Sequence, residues 1–294
     1  MKRAILLAVV LLSCVGTNDD DSPVDPEKYP DKGRTAVDPV KRGLLTLTFD
    51  DGPSAAYTHD IMDVLERHHA PATFFIVGKN IPGNRDLLAE QHSRGFQVCN
   101  HSYYHEVQPT LSEAEFKQRV QAVKLNIGDN DSGRLFFRFP YGAAGDDQLR
   151  WLSEIDVDGK HYRPVGWNLD SQDWEFGGTY PAAPFSNYVL DDAGTCRGDP
   201  NPFQRDYVGW TQFIARKTGG GLMLFHDIQQ ITHDNLDRVL TGFESPAKYW
   251  ASLAPDTAAT YMRYYACMKV DPTLVFQFQS LYGGASPSFA DSHP

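Results

Sequence analysis

The sequence predicts an α/β fold in which one domain, residues 41–294, forms a distorted (β/α) barrel with fewer than eight strands. Three observations predict it. Short apolar runs alternate with stretches of helical period, which implies parallel βα units. Six or seven such runs suggest a barrel rather than an open sheet, and 294 residues with 41% apolar and 22% charged composition suit a single unit of that kind. Polar clusters recur where the apolar runs end, the edge at which such barrels gather reactive groups.

Residues 44–48 form the first strand-like run. Residues 55–69 follow with Ile61, Val64, Leu65 and His68 at helical spacing. Residues 72–77 are β-rich, 85–94 helical and 96–99 a short strand. Residues 112–125 open on Ser112-Glu113-Ala114-Glu115, a capping-box pattern, and continue with Phe116, Val120 and Val123 on one face. Residues 135–138, 163–169 and 221–225 are further strand candidates, and 146–153, 207–217 and 235–240 further helices. Two stretches depart from simple alternation. Residues 175–206, rich in Gly, Pro, Asp and aromatics, read as an inserted functional loop. Residues from 243 onward read as a C-terminal extension ending in a strand at 273–278, expected to pack near the barrel mouth. Its aromatics could stack on sugar rings, although core packing is the commoner role for Tyr and Phe.

The first polar cluster is Thr48-Phe49-Asp50-Asp51-Gly52-Pro53. Adjacent carboxylates repel, and a nearby cation relieves them; a helix cap is the bland alternative. The second is Asn100-His101-Ser102-Tyr103-Tyr104-His105, whose two histidines, four apart, can face one way on a helical turn. With one carboxylate they make a three-ligand site with open positions, suited to hydrolysis by Zn²⁺ or another transition metal, or to Fe²⁺ oxygen chemistry. The third, Arg138-Phe139-Pro140-Tyr141-Gly142, offers a clamp for a carboxylate and a constrained backbone N–H for an oxyanion. The fourth is Asp170-Ser171-Gln172-Asp173-Trp174 and the fifth Leu224-Phe225-His226-Asp227. A strand-end His with an Asp from another strand end suits an oriented general acid. Five such clusters, each closing an apolar run, are hard to explain as caps.

Together these residues resemble the polysaccharide deacetylase family, the NodB-homology or carbohydrate esterase family 4 domain. The resemblance spans roughly 44–240 and includes TFDDG at 48–52, HSxxH at 101–105, RxPYG at 138–142, DxxDW at 170–174 and LxHD at 224–227, with ATFFIVGK at 72–79 also typical. It implies a NodB-type barrel and one divalent metal ion, usually zinc, held by Asp51, His101 and His105. It implies that Asp50 is the base that takes a proton from the attacking water, and that Arg138 holds Asp50. The Tyr141 backbone N–H would join the metal at the oxyanion. His226 would protonate the leaving amine, with Asp170 setting its charge, and Trp174 and Leu224 would wall the acetyl methyl.

Residues 1–16 read as a secretion signal: Lys2 and Arg3 precede an apolar run, 4–12, too short for the about 20 residues that span a bilayer. Leu11-Leu12-Ser13-Cys14 resembles a lipobox, which would anchor the chain to a membrane through Cys14; simple cleavage near Gly16 is the alternative. Residues 17–40, acidic and Pro-rich, read as a flexible tether. The chain is therefore expected to be exported, to the periplasm, cell envelope or medium. Cys99 reads as a buried apolar residue, while Cys196 and Cys267 could pair in an oxidising compartment. A net charge of −11 argues against nucleic acid as a partner.

The expected function is hydrolytic removal of N-acetyl groups from cell-wall glycan, with peptidoglycan amino sugars first. Chitin or chito-oligosaccharide N-deacetylation and acetylxylan O-deacetylation use the same machinery. A non-catalytic glycan-binding homologue is the alternative of a different class.

Overall fold

Strand β1 (Leu44–Asp50) lies at the centre of the sheet because it is almost wholly buried on both faces, as a parallel strand covered by helices must be. The computed structural model describes residues 41–128, 135–177, 202–203 and 205–281. The secretion signal, Cys14, the tether, Cys196 and most of the 175–206 insertion lie outside them. Around β1 stand β2 (Ala72–Ile76), β3 (Gln97–Asn100), β4 (Phe136–Phe137), β7 (Arg163–Pro164), β8 (Leu169–Asp170) and β9 (Gly221–His226), in the order β7-β4-β3-β2-β1-β9-β8, all parallel. The remaining strands are β5 (Asp156–Val157) and β6 (Lys160–His161), a small antiparallel pair, and β10 (Gln277–Phe278), which pairs with Leu44 and Leu45. Among the described residues no pairing joins the end strands β7 and β8, so the barrel is distorted and carries seven strands on its path, as expected from the sequence.

Helices α1 (Thr58–Arg67), α2 (Arg85–Ser93), α3 (Glu113–Ile127), α4 (Asp146–Glu154) and α6 (Tyr207–Thr218) fall where the periodicity placed them, α7 (Gln230–Glu244) extends the 235–240 helix at both ends, and a short α5 (Asp173–Phe176) forms at the fourth polar cluster, where no helix was expected. The Ser112 capping box forms: its hydroxyl accepts the Glu115 N–H, and the Glu115 carboxylate accepts the Ser112 N–H. Ile61, Met62, Val64 and Leu65 of α1 meet Leu45, Leu47 and Phe49 of β1 in one apolar cluster, where Phe49 stacks between Phe74 and Phe225 at 5.1 and 5.3 Å.

Two expectations are corrected. The run 163–169 is not one strand. Residues 165–168 leave the sheet between β7 and β8, turning the carbonyls of Val165 and Gly166 onto Arg138. Asn168 stands in for the lost ladder by bonding Leu222 through both its backbone N–H and its side chain. The C-terminal extension does not end at the barrel mouth, although its aromatics take the core-packing role that was the commoner expectation. The extension forms α8 (Pro246–Ser252) and α9 (Pro255–Cys267), and Tyr261, Tyr264 and Tyr265 are buried against Phe203, Trp210 and Phe213. Its strand is only β10, laid beside the start of β1, at the far end of that strand from Asp50. Cys99 is buried, as expected, and is not in a disulfide, while Cys267 is disulfide-bonded.

Ser112→Ala removes the cap of α3 without touching the strand ends. It should lower unfolding stability by about 1 kcal/mol, read from the denaturation midpoint, and leave metal binding unchanged.

Candidate active site

Parallel register brings the five sequence clusters to one edge of the sheet. Asp50 ends β1 beside Phe75 of β2 and His226 of β9. His101 directly follows β3, Arg138 follows β4, and Asp170 ends β8 beside Leu224.

Asp50 and Asp51 diverge because Asp51 leaves the strand with φ 75°. Asp50 is 2% exposed, and its Oδ1 accepts from Arg138 Nη1 at 2.7 Å. The other Nη1 contact is Thr48 Oγ1 at 2.8 Å, while Nε and Nη2 donate to the carbonyls of Val165 and Gly166 at 3.2 and 3.0 Å. The guanidinium also lies over the Phe75 ring, 4.1 Å from its centroid. Burial pulls this Arg down from its ordinary value and the Asp50 carboxylate pulls it back. With Oδ1 engaged, Asp50 turns Oδ2 towards His101 Nε2, 3.6 Å away.

Asp51 Oδ1 is 3.4 Å from His101 Nε2 and 3.0 Å from His105 Nε2. This oxygen is buried and has no hydrogen-bond partner. His101 Nδ1 lies 2.8 Å from the Arg138 carbonyl, which can only accept, so Nδ1 carries the proton and Nε2 presents a lone pair. The three donor atoms lie within 4.8 Å of one another. One carboxylate oxygen without a partner and two imidazole nitrogens at these spacings fit a single ion at the roughly 2.0–2.2 Å bond lengths of zinc. Burial opposes charge on Asp51, but His101 and His105, with His226 beyond, hold its carboxyl well below the usual range. The two histidines do not share a helical turn, as the spacing suggested. Ser102 and His105 both adopt positive φ, at 64° and 61°, and that irregular loop folds His105 back beside His101.

His226 shows where the sequence reading chose the wrong carboxylate. Its Nδ1 is 2.7 Å from Asp173 Oδ1, and its backbone N–H donates to Asp173 Oδ2 at 2.7 Å. Asp170 instead accepts the Gln172 N–H at 2.8 Å and has no hydrogen bond to His226. The reason is the left-handed turn at Gln172, φ 57°, which starts α5 and swings Asp173 inward. Both Asp residues belong to the DxxDW cluster, so the signal was present, but spacing could not say which one faces His226. Burial opposes charge on the imidazole, yet Asp173 against it, with Asp51 and Asp50 farther off, raises it to about 10. Asp170 is pushed up to about 6, chiefly by burial.

Tyr141 and Trp174 remain exposed at this edge, 53% and 40%, whereas Leu224 is buried. Tyr141 holds φ 58° between Pro140 and Gly142, and its ring packs 4.5 Å from that of His105. Gly52 has no room for a side chain, because a Cβ there would meet the Asp227 carboxylate at 2.2 Å.

Residues 38–159 match the family described as polysaccharide deacetylase. The chain is 30% identical over 139 residues to the peptidoglycan-N-acetylglucosamine deacetylase of Bacillus cereus, covering 47% of this chain and 48% of that protein. It is 28% identical over 130 residues to the chitooligosaccharide deacetylase of Sinorhizobium fredii, covering 44% and 58%. The chain thus spans about half the length of these curated relatives. In structure it is similar to the chitin deacetylase of Colletotrichum lindemuthianum, with TM-score 0.54, 21% identity and coverage of 78% of this chain and 87% of that one. That likeness bears on the fold.

The His226–Asp173 contact makes stability depend on pH with a defined sign. The folded-state value of about 10 lies above the ordinary 6.5, so the contribution is complete below about 6.5 and is lost as pH rises through 10. Chemical denaturation of metal-free protein should show the native chain's advantage over His226→Gln shrinking across that window.

Proposed function

We propose, from the match of residues 38–159 to the polysaccharide deacetylase family, that the chain is a metal-dependent hydrolase that removes N-acetyl groups from cell-wall glycan, with peptidoglycan amino sugars as its substrate. The observation that carries the reading is one sheet edge that gathers the Asp51, His101 and His105 donors, the Arg138-held carboxylate of Asp50 and the Asp173-paired imidazole of His226. Asp51, His101 and His105 would hold one divalent ion, which we take to be zinc. When bound, that ion supplies a Lewis acid for the acetyl carbonyl and lowers the pKa of water.

The remaining work falls to the chain's own groups. Asp50 takes the proton of the attacking water on Oδ2, because Arg138 occupies Oδ1 and fixes the carboxylate plane. His226 enters the reaction protonated, since the Asp173 carboxylate stabilises the imidazolium, and it donates to the departing amine. Asp51, committed to the ion it would hold, would add less to the negative field at His226, leaving Asp173 as the carboxylate that sets the charge of the imidazole. The Tyr141 backbone N–H stabilises the oxyanion, and Trp174 and Leu224 bound the acetyl methyl.

The choice of peptidoglycan draws on the Bacillus cereus relative and on the export signal and tether read in residues 1–40. The Sinorhizobium fredii relative makes a chito-oligosaccharide the second substrate to test. Acetate release should be measured on peptidoglycan, chitin oligomers and acetylxylan, with metal restored after chelation. Peptidoglycan should give the fastest release. Asp50→Asn and His226→Ala should each lose about 100-fold or more in kcat while keeping the metal, and His101→Ala should lose metal and activity together. Near-native turnover in Asp50→Asn would remove the base assignment. Saturable glycan binding without acetate release in metal-replete protein would replace the enzyme reading with a binding one.

A further inference from the structure

We propose that Thr232, backed by Tyr207, is a positioning residue for the general acid: it fixes the rotation of the Asp173 carboxylate and, through it, the ring of His226. The inference rests on the deacetylase reading for its catalytic consequence, but the geometry stands by itself.

Asp173 is fully buried and each of its oxygens is used twice. Oδ1 accepts from His226 Nδ1 at 2.7 Å and from the Trp174 N–H at 2.9 Å. Oδ2 accepts from the His226 N–H at 2.7 Å and from the Thr232 hydroxyl. Among the described residues the Thr232 hydroxyl is the only side-chain donor on Oδ2; without it that oxygen keeps one backbone partner, and one of the four contacts that set the carboxylate's rotation is lost. The Thr232 proton is committed to Asp173, because an ionised carboxylate can only accept. Its lone pairs are therefore free to receive the Tyr207 hydroxyl, 3.4 Å away. Thr232 and Tyr207 are themselves buried, at 0% and 3% exposure, so water does not replace either contact readily. Thr232 sits in the first turn of α7, the helix after β9, and Tyr207 begins α6, the helix before it. Both helices that bracket the His226 strand thus converge on one carboxylate. Neither residue belongs to the five sequence clusters.

Thr232→Val removes the hydroxyl and keeps the shape. Loss of a general acid costs about 100–10,000-fold, and a contact one residue removed from it should cost a fraction of that, about 10-fold. The variant, with metal content equal to the native chain, should lose about that factor in kcat on an N-acetylated glycan oligomer, with KM unchanged. It should hydrolyse para-nitrophenyl acetate at the native rate, because that phenolate departs without needing a proton. Thr232→Ser should restore the loss, and Tyr207→Phe should show a smaller one of the same pattern. Equal losses on both substrates, or no loss on either, would overturn the proposal. The His226 Nδ1–H resonance of isotope-labelled protein decides the positioning without any substrate. It should shift or broaden in Thr232→Val and return in Thr232→Ser; an unmoved resonance would overturn the proposal even where turnover fell. If the native chain released no acetate from any glycan, the deacetylase reading would fail separately, and the resonance would still report on the positioning.

Discussion

The buried pair of Arg138 and Asp50 is the contact on which the rest of this edge depends. An arginine with no exposure is costly to desolvate, and it is stable here because each part of its guanidinium is used: one carboxylate, one hydroxyl, two carbonyls and an aromatic face. Those partners come from β1, β2 and the 165–168 segment, so the side chain crosses the inside of the barrel and ties the central strand to the stretch that links β7 and β8. The Arg138 carbonyl then fixes the proton of His101. One residue thereby sets both the free oxygen of Asp50 and the free nitrogen of His101. Removing the guanidinium would leave a buried unpaired carboxylate, a loss of about 3–5 kcal/mol.

The adjacent carboxylates are separated by backbone geometry. Asp50 keeps strand dihedrals and remains in the interior, while Asp51 takes positive φ and turns to the two imidazoles. A second carboxylate–imidazole contact, Asp173 to His226, is built by the same device, a left-handed residue at Gln172 that reverses the chain after β8. The site is assembled from such turns at strand ends, and the regular strands supply the register that lets the turns meet.

The C-terminal extension serves the scaffold. Its helices bury aromatic rings on α6, and β10 extends the pairing of β1 at the end away from Asp50. The α6 face that α9 covers belongs to the helix that delivers Tyr207 to Thr232.

The sequence by itself determined the parallel βα plan, the capped α3 and the identity of the clusters at the strand ends. These rest on local rules: hydrophobic period, capping chemistry, and polar groups following apolar runs. It also offered His101 and His105 with one of two adjacent carboxylates as a donor set, since ligand chemistry is a property of residue type, and only the family resemblance named Asp51 as that carboxylate. Tertiary structure alone decided the split of 163–169 into two strands around the carbonyls that meet Arg138. It alone chose Asp173 over Asp170 for His226, because three residues of separation can point either way until the turn at Gln172 is formed. It alone brought Thr232 and Tyr207 to Asp173, from helices 59 and 34 residues along the chain. Which polar groups share a partner is a matter of distance across the fold, and no local pattern encodes it.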